Sequence, residues 1–367
     1  TITPAANFEV STTSSTAGFT SSAITGVSNS TNFWTRLSST APVGDYNNTT
    51  AAVISSSGAT SVNVTTSSSG NAVTCTNGAW IGGASGNWST GSNWCGGSVP
   101  TSASNVTIPS GVTVNLDATT TTVASLTIDG TLEVAAGKQL TVDGTLTNNG
   151  VFTLKTGATL DPGTSYSQAG NGVYNVEQYI TGAGGSSPSG RFWYLGSPVV
   201  SATSNVYDAA GSNIVKGWNE VSNIWEEITT NSSPLEVGKG YYVKAGANTT
   251  LNFTGGALNN ASSYTLNLTR TGTTNSSRGF NLVSNPYPSY LDWDGVSKSA
   301  SVSNTIWYRT ANSSNVNVFD TYNAPAGTGT NTNGAGAVTR YIPPMQSYWV
   351  FVTPNNTTGT ITFDNGN

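Results

Sequence analysis

The 367-residue sequence contains no histidine, and it has only two cysteines and one methionine. Without histidine, the Ser-His-Asp and Cys-His catalytic arrangements are excluded, and so are the zinc sites that depend on imidazole ligands. Both cysteines have a simpler use in a disulfide, which leaves no thiol for catalysis. We therefore expect no catalytic residue, no bound metal and no cofactor, and we expect that the protein is not an enzyme.

Charged residues are scarce as well. They make up 8 % of the chain, the net charge is −5 at pH 7, and the 12 basic residues are scattered singly. A nucleic-acid partner requires a basic stripe that neutralises phosphates, so nucleic acid is excluded as a partner. Apolar runs of about 18 residues and basic amphipathic segments are also missing, which argues against membrane insertion.

The remaining route to catalysis is a pair of carboxylates, as in glycoside hydrolases, where two acids face each other across about 5–10 Å. The 17 acids form only two tight clusters, Glu226-Glu227 and Asp292-Trp293-Asp294. Neighbouring residues of a strand point to opposite faces, so Glu226 and Glu227 do not share a site if that segment is extended. Asp292 and Asp294 are able to share a face and hold a sugar or Ca²⁺, but a turn in which Asp caps its own backbone is the favoured interpretation.

Cys75 and Cys95 enclose a loop that is rich in Trp and Gly. Their even number, in a chain without histidine for metal binding, predicts one disulfide formed in an oxidising compartment. Two buried free thiols are the alternative.

Helix signals are nearly absent too, because Gly, Asn, Ser and Thr interrupt every window in which apolar residues recur with helical spacing. Short runs of Val, Ile, Thr and aromatic residues alternate with Gly, Asn and Pro turns, a pattern typical of all-β sandwiches and solenoids. With 36 % hydrophobic residues, the chain is able to bury a core. Changes in residue composition and strand pattern along the chain predict three regions. They are an incomplete sandwich over 1–72, a disulfide-linked opening segment with a β-solenoid over 73–168, and an aromatic-rich β-sandwich over 169–367.

The central region contains an internal repeat. Val112, Leu126, Leu140 and Leu154 are each 14 residues apart, and LTIDGTLEVAAGKQ aligns with LTVDGTLTNNGVFT. In each unit a pair of apolar residues points inward and a Gly turn follows. The apolar face of one unit is buried only by packing against the neighbouring units. The pattern predicts a β-solenoid with a 14-residue period, which is short for a three-sided right-handed coil.

Three sets of motifs resemble modules of secreted and surface proteins of Bacteroidota-type bacteria. FEVSTTSSTAGFTSS, TRLSSTAPVGDY and SSSGATSVNVT resemble the later part of an immunoglobulin-like repeat. CTNGAWIGGASGNWSTGSNWCGGSVPTSASNVTIPSG resembles the opening segment of parallel β-solenoid modules in these proteins. The third set of motifs resembles a β-sandwich region that commonly precedes the C-terminal sorting domain of type IX secretion. In order, these motifs are RFWYLGSPV, GKGYYVKAG, GFNLVSNPYPSYLDW, TIWYRT and IPPMQSYWVFV.

The resemblance implies an extracellular or outer-cell-surface protein, exported with its signal peptide and its sorting domain removed. It also implies that the strands which normally precede ITPAANFEV are missing from the immunoglobulin-like domain, because a seven-stranded sandwich needs about 100 residues and this region has about 72. The alternative is that the chain is a fragment of a longer repeat protein, in which case its truncated first domain has no mechanistic meaning.

An incomplete sandwich exposes an apolar groove and unpaired strand edges, which invite pairing with another chain. We therefore expect a structural subunit of an extracellular filament or surface assembly, a head-to-tail homopolymer formed by β-strand complementation between subunits. The candidate interface strands are the N-terminal segment with Ile2, Phe8 and Val10 and the C-terminal segment TGTITFDNGN with Ile361 and Phe363, which alternates like a short donor strand.

The alternative function is a cell-surface adhesin or carbohydrate-binding protein, because aromatic rings stack on sugar faces. Trp88, Trp94 and Trp293 are the candidate glycan-contact residues. Packing competes as an explanation for every Trp, since large aromatic side chains supply most of the buried area in thin β layers. A row of exposed rings on one face favours glycan binding, whereas burial of the Trp side chains favours packing.

Overall fold

The structure is a computed structural model. It describes the chain except residues 40, 42–43, 164, 183–190, 211–213, 231, 260–262, 273, 275–276, 312–316, 331–337 and 365–367. The chain forms two compact units, Thr1–Thr76 and Asn77–Asn367. Strands dominate both units, with short 3₁₀ turns at Gly91–Asn93 and Ser204–Ala210. The all-β fold class predicted from the sequence is confirmed.

The first unit is built from short antiparallel strands. Those in its described part are β1 (Ile2–Pro4), β2 (Phe8–Ser11), β3 (Trp34–Leu37), β4 (Gly44–Asp45), β5 (Thr50–Ile54), β6 (Val62–Thr65) and β7 (Ala72–Val73). They form a three-stranded sheet of order β1-β5-β6 and the pairs β2-β3 and β4-β7. The core of this unit is small and centres on Ile2, Val10 and Ala52. The unit is therefore all-β, as the sequence predicts.

One edge of the three-stranded sheet is open at β6. Within the described part of the unit, β6 pairs only with β5. Val64 of β6 packs partly on the core. Val62 belongs to the same face of the strand, but its side chain is 59 % exposed.

The second unit begins with a β-solenoid. Its strands are β8 (Ser85–Asn87), β9 (Asn105–Ile108), β10 (Thr113–Leu116), β11 (Thr120–Val123), β12 (Ser125–Ile128), β13 (Thr131–Val134), β14 (Gln139–Val142), β15 (Thr145–Asn148), β16 (Val151–Leu154), β17 (Thr159–Pro162), β18 (Ser167–Ala169) and β19 (Val173–Ile180). They stack in parallel as β9-β12-β15-β18, β8-β10-β13-β16-β19 and β11-β14-β17. Each turn of the coil thus supplies strands to three sides, and the solenoid predicted from the sequence is confirmed, with about four turns.

The repeat length of the solenoid differs from the predicted one. Leu126 lies beside Leu146, and Thr131 lies beside Val151, so the coil repeats about every 20 residues. The 14-residue period is wrong because Leu126 and Leu140 lie on two different sides of the same turn. All three sides carry the same alternation of buried and exposed residues, so an alignment by hydrophobic pattern matches one side to the next.

The chain continues into antiparallel sheets. Their strands are β20 (Arg191–Leu195), β21 (Val215–Asn219), β22 (Ile224–Glu227), β23 (Tyr241–Ala245), β24 (Thr249–Gly255), β25 (Tyr264–Thr269), β26 (Phe280–Ser284), β27 (Leu291–Asp292), β28 (Ser297–Lys298), β29 (Thr305–Ala311), β30 (Asn317–Asn323), β31 (Thr328–Gly329), β32 (Tyr341–Ile342), β33 (Ser347–Phe351) and β34 (Thr358–Phe363). Sheet A has the order β20-β23-β21-β22, and sheet B has the order β26-β33-β29-β30-β31. Smaller sheets are β25-β34-β28 and β27-β32.

The exit of the solenoid is covered on one of its three sides, and buried indole rings pack near its start. At the exit, β24 pairs antiparallel with the last long strand, β19, from Tyr174 opposite Gly255 to Ile180 opposite Thr249. At the start, β8 pairs with β10. Buried indole rings lie on both sides of β8 in the sequence: Trp80 before it, and Trp88 and Trp94 after it. Open sheet edges invite pairing with other chains, and the pairing with β24 covers the edge that β19 would otherwise present.

Two hydrophobic cores stabilise the second unit. The larger core runs from Trp80 through the solenoid and sheet A to Met345, and the smaller one includes Trp293 and Phe363. The larger core continues across residues 168 and 169, where the change in residue composition and strand pattern predicts a domain boundary.

The side chains expected at a subunit interface are buried here. Ile2, Phe8 and Val10 are buried, and so are Ile361 and Phe363. The latter two belong to β34, which is the middle strand of its sheet, with β25 on one side and β28 on the other. A strand that is paired along both edges is not free for donation, so this structure does not offer the C-terminal strand as a donor.

The turns between β12 and β13, β15 and β16, and β18 and β19 bring glycine backbones into direct contact. A Cβ atom on Gly150 would collide with the carbonyl group of Gly130 one turn below. We expect Gly150→Ala to lower the free energy of unfolding by at least about 1–3 kcal/mol, because backbone atoms of a stacked coil cannot move aside. Gly256→Ala is the control, since its Cβ would enter open space. Urea denaturation followed by circular dichroism measures both, and equal midpoints would contradict the expectation.

Candidate ligand-binding cleft

A cleft of about 720 Å³ is lined by residues of sheets A and B. Most of its lining consists of aromatic rings, and a few neutral polar side chains complete it. Sheet A contributes Tyr194, Trp218 and Trp225, and sheet B contributes Phe280, Trp307, Phe319 and Trp349. The polar lining residues are Asn223, Ser277 and Thr321.

Strand alternation and register place the rings of sheet A on one face. In β20, Trp193 turns to the core, where its Nε1 donates a hydrogen bond to Thr181 O at 2.8 Å, so Tyr194 takes the opposite face. Trp218 and Trp225 lie directly opposite each other across β21 and β22. Their ring centroids are 5.4 Å apart. Three rings from three strands thus form one wall.

The wall from sheet B is built from a row of residues in register. Trp307 pairs with Trp349 on β33 and with Thr321 on β30. Phe319, two residues from Thr321, lies on the same strand face, and its side chain is 51 % exposed. This wall has a buried indole at its base and an exposed phenyl ring at its rim.

Direct contacts hold the two walls together. The indole Nε1 of Trp218 donates a hydrogen bond to the carbonyl oxygen of Phe280 at 2.7 Å. Trp349 packs edge to face against Trp218 and Trp225, with centroid distances of 5.4 and 5.7 Å. The ring orientations are therefore fixed before any ligand enters.

A cation borders the cleft: Arg309 belongs to β29 of sheet B, on the strand face that also carries Trp307, and it pairs with Phe319. The guanidinium of Arg309 is 5.6 Å from the ring centroid of Tyr194 and 5.9 Å from that of Phe192. Burial raises the pKa of the Tyr194 phenol, and the positive charge of Arg309 opposes that rise. The phenol therefore stays protonated at neutral pH and offers both a donor and an acceptor.

A buried carboxylate anchors the turn that carries Asn223. Glu220 is 4 % exposed and accepts hydrogen bonds from Thr271 N, Thr271 Oγ1 and Gly279 N at 2.8–3.0 Å. Its own carbonyl accepts from Arg278 Nη1 and from Asn223 N. Burial acts to raise the pKa of Glu220, but the hydrogen bonds from Thr271 and Gly279 outweigh it, and the pKa lies below its usual value. Sequence reasoning missed this residue, because a lone Glu carries no local signal of burial.

The predicted glycan-contact residues lie elsewhere, in the cores. Trp88, Trp94 and Trp293 have no exposed surface. The Nε1 of Trp94 donates to Trp88 O at 2.7 Å, and the Nε1 of Trp293 donates to Asn304 O at 2.8 Å. These rings present no face to a ligand, so packing accounts for them.

The two acid clusters have structural partners. Glu226 Oε1 accepts a hydrogen bond from Asn219 Nδ2 at 2.6 Å, and Glu227 Oε2 lies 3.7 Å from Lys216 Nζ. Asp292 Oδ1 accepts a hydrogen bond from Asp294 N at 3.1 Å. This contact is a turn in which Asp caps the nearby backbone, the interpretation that the sequence favours. Arg340 lies 2.7 Å from Asp292 Oδ2 and 3.4 Å from Asp294 Oδ2. Across the described ranges, no group of three or more Cys, Asp or Glu side chains is arranged to hold a metal ion.

Cys75 and Cys95 are disulfide-bonded, as the sequence predicts. No helix in the described part of the chain is long and apolar enough to cross a membrane.

The fold and the cleft define a class: an all-β protein in which a capped solenoid leads into antiparallel sheets with an aromatic cleft. The chain belongs to the family described as "Domain of unknown function (DUF8693)", whose model matches residues 79–367. No curated protein and no solved structure matches the chain.

We expect Glu220→Gln to lower the free energy of unfolding at neutral pH by about 1–3 kcal/mol, because an amide cannot accept all the hydrogen bonds that the carboxylate accepts. The pKa of Glu220 is depressed by folding, so its stabilisation is present above the unfolded pKa near 4.5 and is lost as the pH falls through the lower folded value. The difference between wild type and variant should therefore shrink in acid.

Urea denaturation at several pH values measures this difference. The control is Glu236→Gln, whose side chain is 69 % exposed and bridges only Lys239 on the surface. A pH-independent difference for Glu220→Gln would contradict the role assigned to its carboxylate.

Proposed function

We propose that this protein binds a neutral glycan through the aromatic cleft, as an extracellular carbohydrate-binding protein or adhesin. The observation that carries the proposal is the cleft itself, in which seven aromatic rings from two sheets surround about 720 Å³. Ligand sites of this size are commonly lined by apolar and aromatic side chains with a few well-placed polar groups.

The chemistry of the lining suits a sugar. A pyranose ring has an apolar face of C–H groups, which packs on the electron-rich face of an aromatic ring, and a rim of hydroxyls. Asn223, Ser277 and Thr321 supply neutral donors and acceptors for that rim. Aromatic side chains with few rotatable bonds also lose little entropy on binding.

The charge distribution favours a neutral ligand that is bound rather than cleaved. Among the described residues that line the cleft there is no Asp, Glu, Lys or Arg, and the guanidinium of Arg309, which borders it, packs on the rings of Tyr194 and Phe192. Hydrolysis of a glycosidic bond would require two carboxyl groups beside the sugar. The net charge of −5 also repels acidic glycans at a distance.

The extracellular location is part of this proposal. A disulfide is stable mainly in oxidising compartments, and only 8 % of the residues are charged. The resemblance of the motifs to secreted proteins of Bacteroidota-type bacteria supports the same location.

We expect Trp225→Ala and Phe319→Ala, one on each wall, to weaken glycan binding at least about tenfold, or about 1.4 kcal/mol, because each removes a ring face that a sugar contacts. A neutral-glycan array followed by isothermal titration calorimetry measures this loss. Tyr179→Ala is the control, since Tyr179 is an exposed aromatic residue of the solenoid, outside the cleft. Absence of glycan binding by the wild type, or equal loss in the control, would refute the proposal.

A second candidate function is a subunit of an extracellular filament or surface assembly, and the open edge of β6 favours it. The segment from Ser55 to Asn71 contains no charged residue. Natural proteins usually protect an edge strand with charge, proline or a cover, and β6 has none of these along its described outer edge. A strand from another subunit would pair with its backbone and cover the exposed side chain of Val62.

For this candidate we expect Val62→Lys to abolish self-association, because pairing would bury an unpaired ammonium group. The position is 59 % exposed, so the isolated chain tolerates the substitution. Ser57→Lys adds the same charge on the preceding exposed turn and serves as the control. Negative-stain electron microscopy and light scattering measure assembly, and a wild-type protein that stays monomeric at micromolar concentration would exclude the filament.

A further inference from the structure

We infer that the ligand of the cleft carries acetamido groups, as in glycans built from N-acetylated hexosamines. This inference rests on the proposed glycan-binding function and adds the chemical class of the sugar. Three features of the lining carry it: the angles between the rings, the type of the polar side chains and the lack of charge.

The rings of the cleft meet at steep angles. The interplanar angle is 69° for Trp218 and Trp225, 83° for Trp218 and Trp349, and 74° for Trp225 and Trp349. On the opposite wall, Phe280 and Trp307 meet at 78°. Unsubstituted pyranose rings in a row stack best on a flat platform of coplanar rings, and these rings do not form one.

Corners between rings suit a compact apolar substituent. A methyl group fits between ring faces that stand at steep angles, where it touches more than one ring at once and loses its contact with water. The methyl of an acetamido group carries a slight positive charge next to its carbonyl, which favours contact with the negative ring faces. A plain hydroxyl in the same corner would lose its water without gaining a partner.

The polar side chains match an amide. Asn223 offers both a carbonyl acceptor and an N–H donor, the complement of an acetamido N–H and C=O. Its backbone has a φ of 59°, and the hydrogen bond to the Glu220 carbonyl fixes its turn. Thr321, on the opposite wall, adds a hydroxyl that also contacts Thr330 Oγ1.

The lack of charged side chains in the lining disfavours the charged relatives of N-acetylated sugars, namely free amino sugars, uronic acids and sulfated sugars. No described lining residue is acidic, so a free amino sugar, which is cationic, finds no counter-ion in the cleft. No described lining residue is basic, and the guanidinium of Arg309, which borders the cleft, already packs on the rings of Tyr194 and Phe192, so a uronic acid or a sulfated sugar is disfavoured. The acetylated amino sugar is neutral and keeps the apolar methyl.

The test compares three tetrasaccharides with the same β-1,4 backbone: tetra-N-acetylchitotetraose, its fully deacetylated form and cellotetraose. In calorimetric titrations of the wild-type protein, we expect the acetylated compound to bind at least about tenfold more tightly than either of the others, since one buried methyl group gives discrimination of that size. Trp225→Ala should weaken its binding, and Tyr179→Ala should not.

A second variant tests the amide contact. Asn223→Gly removes the side-chain amide, and glycine accepts the positive φ of this position. We expect the preference for the acetylated tetrasaccharide over cellotetraose to fall about threefold or more, with thermal unfolding unchanged. An unchanged preference would overturn the role of Asn223.

The outcomes separate the inference from the function beneath it. Equal or tighter binding of cellotetraose or of the deacetylated compound overturns the acetamido inference and leaves glycan binding intact. If the protein binds other neutral glycans on the array but none that carries acetamido groups, the acetamido inference is likewise overturned and glycan binding stands. Failure of all glycans, or binding of choline alone in the aromatic cleft, overturns both.

Discussion

The pairing of β24 with β19 is the contact on which the second unit depends. A parallel solenoid exposes unpaired backbone groups at each end, and seven residue pairs between these strands cover one of its three sides at the exit. The same pairing joins the solenoid to the antiparallel region, because β24 is continuous in sequence with sheet A through β23. One core then runs from Trp80 to Met345. Sheet A, which supplies one wall of the cleft, thus shares a hydrophobic core with the solenoid.

The cleft gains its rigidity from direct contacts. Its rings hold each other edge to face, the indole N–H of Trp218 links sheet A to sheet B, and the carboxylate of Glu220 fixes the turn with Asn223. Preformed ring orientations reduce the entropy that a ligand must remove on binding, which gives selectivity for ligand shape. The steep ring angles are therefore the feature that distinguishes this cleft from a flat stacking surface, and they direct the choice of ligand toward compact apolar substituents.

Most of the architecture could be predicted from the sequence, and the binding site could not. The motifs RFWYL, GWNEVSNIWEE and TIWYRT contain four of the seven cleft rings, yet nothing local distinguishes Trp218, which lines the cleft, from Trp293, which is fully buried. Strand alternation assigns side chains to faces, but it does not say which face meets solvent. The exposed face depends on which sheet packs against it, and that partner is supplied by residues more than 50 positions away, as in the bond from Trp218 to Phe280.

The sequence by itself determined the all-β class, the presence of a solenoid and the disulfide, because alternation, turn residues and cysteine number are local properties. Only the tertiary structure decided the length of the solenoid turn, since strands on different sides of one coil share the same pattern and are told apart only by their neighbours in space. It also decided that Ile361 and Phe363 lie in a middle strand rather than at a free edge. Pairing partners are chosen by long-range packing, which no short stretch of sequence contains.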